Sequence, residues 1–126
     1  MANVRYIVDD VDDAIAFYRD LLGFDVEMHP APTFAMLRRD DLRLLLSAPS
    51  GRGGGGQVLA DGTAPEPGGW NRISLPVSDL AAEVERLRTR GASFRSGIIE
   101  GVGGDQALVE DPSGNLVELF QFHAQG

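Results

Sequence analysis

A short pattern occurs twice in the chain, 69 positions apart, and it constrains the fold more than any other feature. Val8-Asp9-Asp10-Val11 matches Val77-Ser78-Asp79-Leu80, and each copy stands between an alternating apolar run and a run with helical spacing. Internal self-similarity is the sequence signature of a repeated supersecondary unit. We therefore predict that the chain is built from two similar modules.

The first copy begins with a predicted strand and a predicted helix. Val4 to Val8 carries apolar residues at alternate positions, which indicates a strand. Asp9-Asp10 ends that strand and supplies a helix N-cap, and Gly23 is a suitable helix stop. The buried helix face is predicted from the spacing i, i+4, i+7 and i+11, at Val11, Ile15, Tyr18 and Leu22.

Three more strands are predicted after this helix, and the second copy follows the same order. The strands of the first copy fall at residues 24–28, 33–38 and 42–47, and Asp40-Asp41 turns the last two into a hairpin. In the second copy a strand runs from Trp70 to Val77 and Ser78-Asp79 caps a helix. The buried face of this helix is predicted at Leu80, Val84, Leu87 and Gly91. Three later strands are predicted at residues 92–95, 106–109 and 116–120.

Residues 49–69 separate the two copies. They hold eight Gly and three Pro, which is linker composition and not that of a packed core. A phosphate-binding loop is excluded because no Gly-Lys-Ser/Thr follows. We predict one α+β domain over residues 1–126, with a β-α-β-β-β module at 1–48, the linker at 49–69 and a second module at 70–126.

Composition excludes several classes of function. With 126 residues, 43% of them hydrophobic, the chain can form one globular domain. A net charge of −8 argues against nucleic acid as a partner, and the lack of cysteine excludes disulfides and thiolate chemistry. No apolar run is long enough to span a membrane, and the N-terminus has no signal-peptide pattern, so we expect a cytoplasmic protein without a membrane partner.

One carboxylate near the end of the chain stands out. The turn Asp111-Pro112-Ser113-Gly114-Asn115 precedes Leu116-Val117-Glu118-Leu119-Phe120, which reads as a strand. Burying Glu118 within an apolar strand is costly unless the carboxylate is paired. Glu118 therefore has a protein partner, a metal ion or a water-filled cavity beside it, or else it faces solvent on an exposed sheet.

These segments together resemble the vicinal oxygen chelate superfamily, which includes glyoxalases, extradiol dioxygenases and bleomycin-binding proteins. The resemblance is carried by residues 8–18, by Leu21-Leu22-Gly23-Phe24 and by residues 111–120. It implies two tandem βαβββ modules whose mixed sheet forms a cup, a ligand held in that cup, and a homodimer. Two histidines, His29 and His123, lie outside the matching positions and are predicted to be surface residues.

The resemblance also implies positions for a metal site, and this chain departs from them. Metal-binding members take ligands from the first and fourth strands of each module, which here fall on Asn3, Arg72, a residue at or beside Leu44, and Glu118. Arginine stays protonated and leucine has no donor atom, so a divalent ion would lack protein ligands. We therefore expect no metal and no cofactor.

Alternation along the strands predicts which side chains face the cup. Uniformly apolar residues occupy the opposite faces, as a helix-covered side requires. The predicted ligand-binding residues are Asn3, Arg5, Trp70, Arg72, Ser74, Glu118 and Phe120. For Arg72 and Glu118 the alternative is a structural ion pair at the vacated metal position, and for Trp70 it is simple packing.

Two hypotheses for function follow. In the first, the protein binds a small organic molecule in the cup, without metal, as antibiotic-sequestering proteins do. In the second, it is an enzyme of the lyase, isomerase or dioxygenase type that uses Glu118 as general base or metal ligand. The ligand, the reaction and the geometry of the dimer are not encoded in any motif of the sequence.

Overall fold

The structure is a computed structural model, and it describes residues 1–50 and 55–124. These residues form eight strands, two α-helices and one π-helical turn, in two units that repeat the order β-α-β-β-β. The elements are β1 (Ala2–Ile7), α1 (Val11–Ala16), β2 (Asp25–Ala31), β3 (Phe34–Arg39), β4 (Leu42–Ser47), β5 (Arg72–Pro76), α2 (Leu80–Thr89), β6 (Ser93–Glu100), β7 (Gly104–Glu110) and β8 (Leu116–Phe122). The prediction of an α+β fold with two tandem βαβββ modules is confirmed.

Each unit contains one mixed four-stranded sheet, and both sheets have the same strand order. The first sheet is ordered β1-β4-β3-β2 and the second β5-β8-β7-β6. The first and last strands of each module pair in parallel, whereas the other neighbours are antiparallel. A parallel pair requires a crossover, which the helix and intervening strands of each module provide.

The helix of the first unit begins at the predicted N-cap and buries the predicted apolar face. The side chain of Asp10 accepts a hydrogen bond from the Asp13 amide at 3.0 Å, which satisfies one of the free N–H groups of the first turn. A π-helical turn, Phe17–Leu21, continues α1, and Gly23 follows with a φ of 72°. The predicted face is confirmed, because all four of its residues are buried: Val11, Ile15, Tyr18 and Leu22.

The helix of the second unit is capped in the same way. The carboxylate of Asp79 accepts from the Ala82 amide at 3.1 Å, and the Gln121 side chain accepts from the Leu80 amide at 2.8 Å. Leu80, Val84 and Leu87 are buried as predicted. Gly91 was predicted on this face, but it lies beyond the end of the helix, where its φ of 86° suits only glycine without strain.

Most of the core of each unit lies on one face of its sheet, although Leu108 and Leu116 of the second sheet are buried on the opposite face. Alternate residues of the strands are buried on the main core face, and the helix of the same unit contributes the rest. In the first unit these strand residues are Tyr6, Ala35, Leu37, Leu44 and Leu46, joined by Val8 directly after β1, and in the second they are Ile73, Leu75, Ala107, Val109, Val117 and Leu119. The predicted helix-facing sides are therefore confirmed for β1, β5 and β8.

Several predicted strand bounds were wrong. The strand predicted from Trp70 to Val77 begins at Arg72, because Gly68 and Gly69 adopt φ values of 103° and 95° and the chain straightens only after them. The short strand predicted at 92–95 continues to Glu100 through two register shifts against β7. The hairpin at Asp40-Asp41 is confirmed, with Arg39 and Leu42 as its closing pair.

The segment predicted as a linker has little regular structure where it is described. Over residues 55–69 its one β-bridge joins Gln57 to Ser50, and the Gly53-Gly54 part of its glycine run lies outside the described residues. The backbone of Gly56 packs so closely on the carbonyl of Ala48 that a Cβ at this position would overlap it. Glycine is therefore required here for close approach and not only for flexibility.

The first compact unit comprises Met1–Gly68 together with Pro112–Asn115, so it includes the turn before β8. The Asn115 side chain, which is 5% exposed, donates to the Ile7 carbonyl at 2.7 Å and accepts from the Gly68 amide at 2.7 Å. Ser113 accepts from the Asp9 amide at 2.8 Å. This turn is thus an integral part of the first unit. The second unit comprises Gly69–Asp111 and Leu116–Gly126.

Over residues 1–50 and 55–124, no helix combines the length and apolar character needed to cross a bilayer.

Candidate ligand-binding face of the second sheet

The second sheet has one face with polar side chains, opposite the face that contributes to the core. Strand pairing sets Ser74 beside Glu118, and Gln106 beside Phe120. Paired residues of neighbouring strands point to the same side of a sheet. We call this surface, defined by Arg72, Ser74, Gln106, Glu118 and Phe120, the polar face.

Glu118 is held at the centre of the polar face by hydrogen bonds to both of its oxygens. Arg72 Nε donates to Oε1 at 3.1 Å, and the Ser74 hydroxyl donates to Oε2 at 2.6 Å. The side chains of Arg72 and Glu118 are 28% and 15% exposed, so the pair is mostly removed from water. The carboxylate predicted to need a partner therefore has two, and the predicted structural ion pair is present.

The guanidinium of Arg72 is itself fixed from three directions. Besides Glu118, it donates to the Gln106 side-chain oxygen at 3.2 Å and to the Trp70 carbonyl at 3.4 Å. A planar guanidinium with donors on several sides is well suited to such bridging, and its orientation is fixed by it. Gln106 was missed by the sequence analysis. Its place at the start of a predicted strand was the available signal, but its side-chain partner depends on the register of β7 against β8.

A second arginine–carboxylate pair lies next to Trp70. Arg95 donates from Nη2 to Glu110 Oε1 at 2.7 Å and from Nη1 to the Gly69 carbonyl at 3.1 Å. Its guanidinium carbon lies 4.9 Å from the centre of the Trp70 ring, which is cation–π geometry. Trp70 remains 67% exposed, so it is not the packing residue of the alternative interpretation. Arg95 and Glu110 were not predicted as site residues. Arg95 ends the strand predicted at 92–95 and Glu110 follows the one predicted at 106–109, and neither position indicates which side chains lie beside it.

Aromatic residues form the other end of the polar face. The rings of Phe120 and Phe122 lie edge to face with centres 4.7 Å apart, and Phe122 is 70% exposed. The Phe120 ring packs over Gly104, where a Cβ would come within 2.6 Å of it. The lack of a side chain at position 104 therefore sets the position of Phe120.

The other two predicted site residues, Asn3 and Arg5, lie on β1 in the first unit. They pair with Arg43 and Leu45 of β4. Arg43 forms an ion pair with Glu27 at 2.8 Å, and the guanidinium of Arg5 fills the space beside Gly55 that a Cβ would take. Both Asn3 and Arg5 are exposed. Their part in ligand binding stays a prediction.

Strand register identifies which residue at or beside Leu44 corresponds to the implied metal-ligand position. Leu44 is fully buried on the core side of the first sheet, beside Val4. The position equivalent to Glu118 is Leu45, because Leu45 pairs with Arg5 as Glu118 pairs with Ser74. Leu45 lies on the opposite face of the sheet from Leu44. The conclusion about metal binding is the same for both, since leucine has no atom that can bind a metal ion.

The donor set on the polar face does not fit a divalent metal ion. Glu118 already accepts from Arg72 and Ser74, and a permanently charged guanidinium stands where a ligand would be needed. Within residues 1–50 and 55–124, no group of three or more His, Asp or Glu side chains is arranged to hold a metal. We therefore derive no chemical step through a metal.

The arrangement is suited to recognition. It offers exposed aromatic surface at Trp70 and Phe122 beside fixed hydrogen-bonding groups, the combination that orients small organic ligands. The one acidic group at its centre accepts from Arg72 at one oxygen and from Ser74 at the other, so its carboxylate is held in one orientation.

Solved structures with this fold include proteins of different activities. Lactoylglutathione lyase from Agrobacterium tumefaciens is 20% identical, with a TM-score of 0.74 over 96% of this chain and 92% of that chain, a likeness that shows the fold alone. TnmS3, an antibiotic binding protein from Streptomyces sp. CB03234, is 25% identical, with a TM-score of 0.73 over 96% of this chain and 93% of that chain. The bleomycin-binding protein of Streptomyces verticillus, solved with copper(II)-bleomycin, is 26% identical, with a TM-score of 0.63 over 97% of this chain and 95% of that chain.

Sequence comparison extends the likeness to nearly the whole chain. The profile of the Glyoxalase/Bleomycin resistance protein/Dioxygenase superfamily matches residues 1–119, which include every strand except the end of β8. The repeat, the two sheets and their strand order agree with that assignment. The chain therefore belongs to the Glyoxalase/Bleomycin resistance protein/Dioxygenase superfamily.

Proposed function

We propose that the protein binds a small organic molecule on the polar face of the second sheet and performs no chemical step on it. The observation that carries this proposal is the state of Glu118, whose two oxygens accept hydrogen bonds from Arg72 and Ser74. A carboxylate held in this way contributes to the shape and charge of a binding surface.

The surroundings of Glu118 favour a ligand with a flat aromatic part and a polar group. Trp70 is largely exposed although the Arg95 guanidinium lies over its ring, so indole surface is available for stacking. Arg72 and Arg95 each have a carboxylate partner, which leaves this surface close to neutral. The ligand therefore does not need a high charge of either sign.

The relatives add support of a general kind. The two structures at 25% and 26% identity belong to proteins that bind an antibiotic and bleomycin, respectively. Small-molecule binding is thus represented among proteins of this fold at the same level of identity. The enzymatic alternative would use as base or metal ligand the same Glu118, which is paired with Arg72 and hydrogen-bonded to Ser74.

The test uses Trp70, the only tryptophan of the chain, as a reporter. Metal-free bleomycin and copper(II)-bleomycin, followed by a panel of planar aromatic antibiotics, are titrated while tryptophan fluorescence is recorded. We expect saturable quenching by at least one compound, with calorimetry giving the same affinity. Native mass spectrometry of freshly purified protein shows in parallel whether a small molecule copurifies.

A matched pair of variants separates a site effect from a general charge effect. Arg72→Gln removes a guanidinium from the polar face, whereas Arg86→Gln removes one from the Arg86–Glu83 pair on α2, which is also an arginine–glutamate pair. Arg72→Gln should weaken binding and Arg86→Gln should not. Turnover of S-lactoylglutathione or a catechol that disappears in Glu118→Gln would contradict the proposal.

We also propose that the protein is a homodimer. Apolar side chains remain exposed in each unit, among them Val26 and Met28 in the first and Ile98, Ile99 and Phe122 in the second. Exposed apolar surface on this scale is typical of interaction sites. A cytoplasmic location stays a prediction.

A further inference from the structure

The imidazole of His123, directly after β8, lies between two hydrogen-bond acceptors. Its Nδ1 atom is 3.1 Å from the carbonyl oxygen of Val102, and its Nε2 atom is 2.9 Å from Oδ1 of Asp105. A backbone carbonyl and a carboxylate can only accept hydrogen bonds. Both ring nitrogens therefore face acceptors, and each contact is a hydrogen bond only if that nitrogen carries a proton.

Only the protonated ring meets this requirement. Neutral imidazole carries one N–H, so one of its nitrogens would direct a lone pair at an acceptor, whereas imidazolium donates from both. The charged groups that act on the ring are Asp105 of β7 and Glu100 at the end of β6, and both are acidic. The hydrogen bond to Asp105 is the main cause that raises the pKa of His123, which agrees with the geometry.

These contacts meet at the turn between β6 and β7, residues 101–103. Asp105 also accepts from the Gly101 amide at 3.4 Å, and the His123 amide donates to the Gly103 carbonyl at 3.0 Å. The Val102 side chain is fully exposed, so apolar burial does not hold the turn. Because glycine has a large conformational freedom to lose, a turn with glycine on both sides of Val102 depends on such polar contacts for its order.

We propose that His123 is a pH-dependent stabiliser of the turn at residues 101–103. In its protonated form the ring donates hydrogen bonds to both Val102 and Asp105 and so fixes that turn. Loss of the proton removes one of the two imidazole contacts and loosens the turn. The pKa is raised in the folded protein, so the stabilisation is complete below the unfolded pKa and is lost as pH rises through the folded one. This device is independent of the proposed ligand.

His29 is a control within the same chain. It lies 3.7 Å from Asp12 and is also exposed, and the protein has only these two histidines. Both rings can therefore be followed separately by NMR on the intact protein, and His29→Gln assigns the signals. Backbone order at Val102 and Gly103 is measured in the same samples from the heteronuclear ¹H–¹⁵N NOE.

We expect His123 to titrate at higher pH in the unchanged protein than in Asp105→Asn. The NOE of Val102 and Gly103 should fall as pH rises through the His123 titration, and it should be low and independent of pH in His123→Gln. Since His123 is exposed, this variant should fold, and the NOE of β7 residues provides the check. The proposal is overturned if Asp105→Asn leaves the titration in place, or if the NOE stays constant while His123 titrates.

Discussion

Arg72 and Glu118 join two parallel neighbouring strands through a hydrogen bond of 3.1 Å between Nε and Oε1. Arg72 stands in β5 at a position where the vicinal oxygen chelate resemblance implies a metal ligand, and Glu118 is the ligand-type residue that remains. The guanidinium of Arg72 is thus the counter-ion of the Glu118 carboxylate. The interaction predicts how substitutions on the polar face will behave.

The Arg72–Glu118 pair should show strong coupling in a double-mutant cycle. Arg72→Met or Glu118→Leu alone leaves a partly desolvated charge without its partner, and each should lower the free energy of unfolding by roughly 1–3 kcal/mol, less than the 3–5 expected for a fully buried pair. Arg72→Met with Glu118→Leu should cost much less than the sum of the single changes. Chemical denaturation of the four proteins measures the coupling, and a value near zero would show that the ion pair does not form in solution.

The chain should contain no stoichiometric divalent metal. Glu118 is engaged by Arg72 and Ser74, and Leu45 occupies the equivalent position of the first unit, so a divalent ion would lack sufficient ligands. Elemental analysis of dialysed protein checks this directly. Stoichiometric zinc, iron, nickel or manganese that is lost in Glu118→Gln would refute it.

Gly104→Ala should destabilise the protein, whereas Gly103→Ala should not. A Cβ at position 104 would overlap the Gln121 carbonyl and come within 2.6 Å of the Phe120 ring, whereas nothing lies within 4 Å of one at position 103. Overpacking of this kind typically costs about 1–3 kcal/mol. Thermal melting compares the two variants. Equal melting temperatures would mean that Phe120 is not packed on Gly104.

Asn115→Ala should lower the free energy of unfolding by roughly 1–3 kcal/mol, because two part-buried hydrogen bonds to the backbone are lost. The amide group donates to Ile7 and accepts from Gly68, so no aliphatic residue can replace it. Asn115→Asp keeps the acceptor but loses the donor and adds a charge, and it should not rescue stability. Urea denaturation of both variants is the measurement, and an unchanged midpoint for Asn115→Ala would contradict the assigned role.

Light scattering at micromolar concentration should give the mass of two chains. The reason is the apolar surface left exposed in the second unit, above all Phe122 and the pair Ile98-Ile99. Phe122→Ser and Ile99→Ser test whether this surface is the interface. A monomer throughout the concentration range would end the proposal of a homodimer.

Sequence patterns predicted the fold because both modules obey local rules. Alternation placed Ile73, Leu75, Val117 and Leu119 on the core side, and the caps at Asp10 and Asp79 marked the helix starts. Irregular backbone was not predictable in this way. The π-helical turn Phe17–Leu21 lies within a run that fits an ordinary helix, because the periodicity of side chains changes too little to reveal one inserted turn.

The candidate site was predictable only in part, for a related reason. Arg72, Ser74 and Glu118 lie on strands with clear alternation, so their common face followed from the sequence. The site residues that were not predicted lie on β6 and β7, namely Arg95, Gln106 and Glu110. The pairing of these two strands shifts register at two places. Gly97 interrupts the apolar pattern of β6 there, and a register shift changes which face a side chain occupies, so no local signal could identify these neighbours.

The turn Pro112–Asn115 has a consequence for dissecting the protein. It belongs to the first unit through Asn115 and Ser113 although most of the second unit precedes it in the chain. A fragment cut after Gly68 would lack the amide that bonds Ile7 and Gly68, and the complementary fragment would carry that turn without its partners. Neither fragment therefore contains all the hydrogen bonds of the first unit, and a cut at the glycine-rich segment divides that unit between the two.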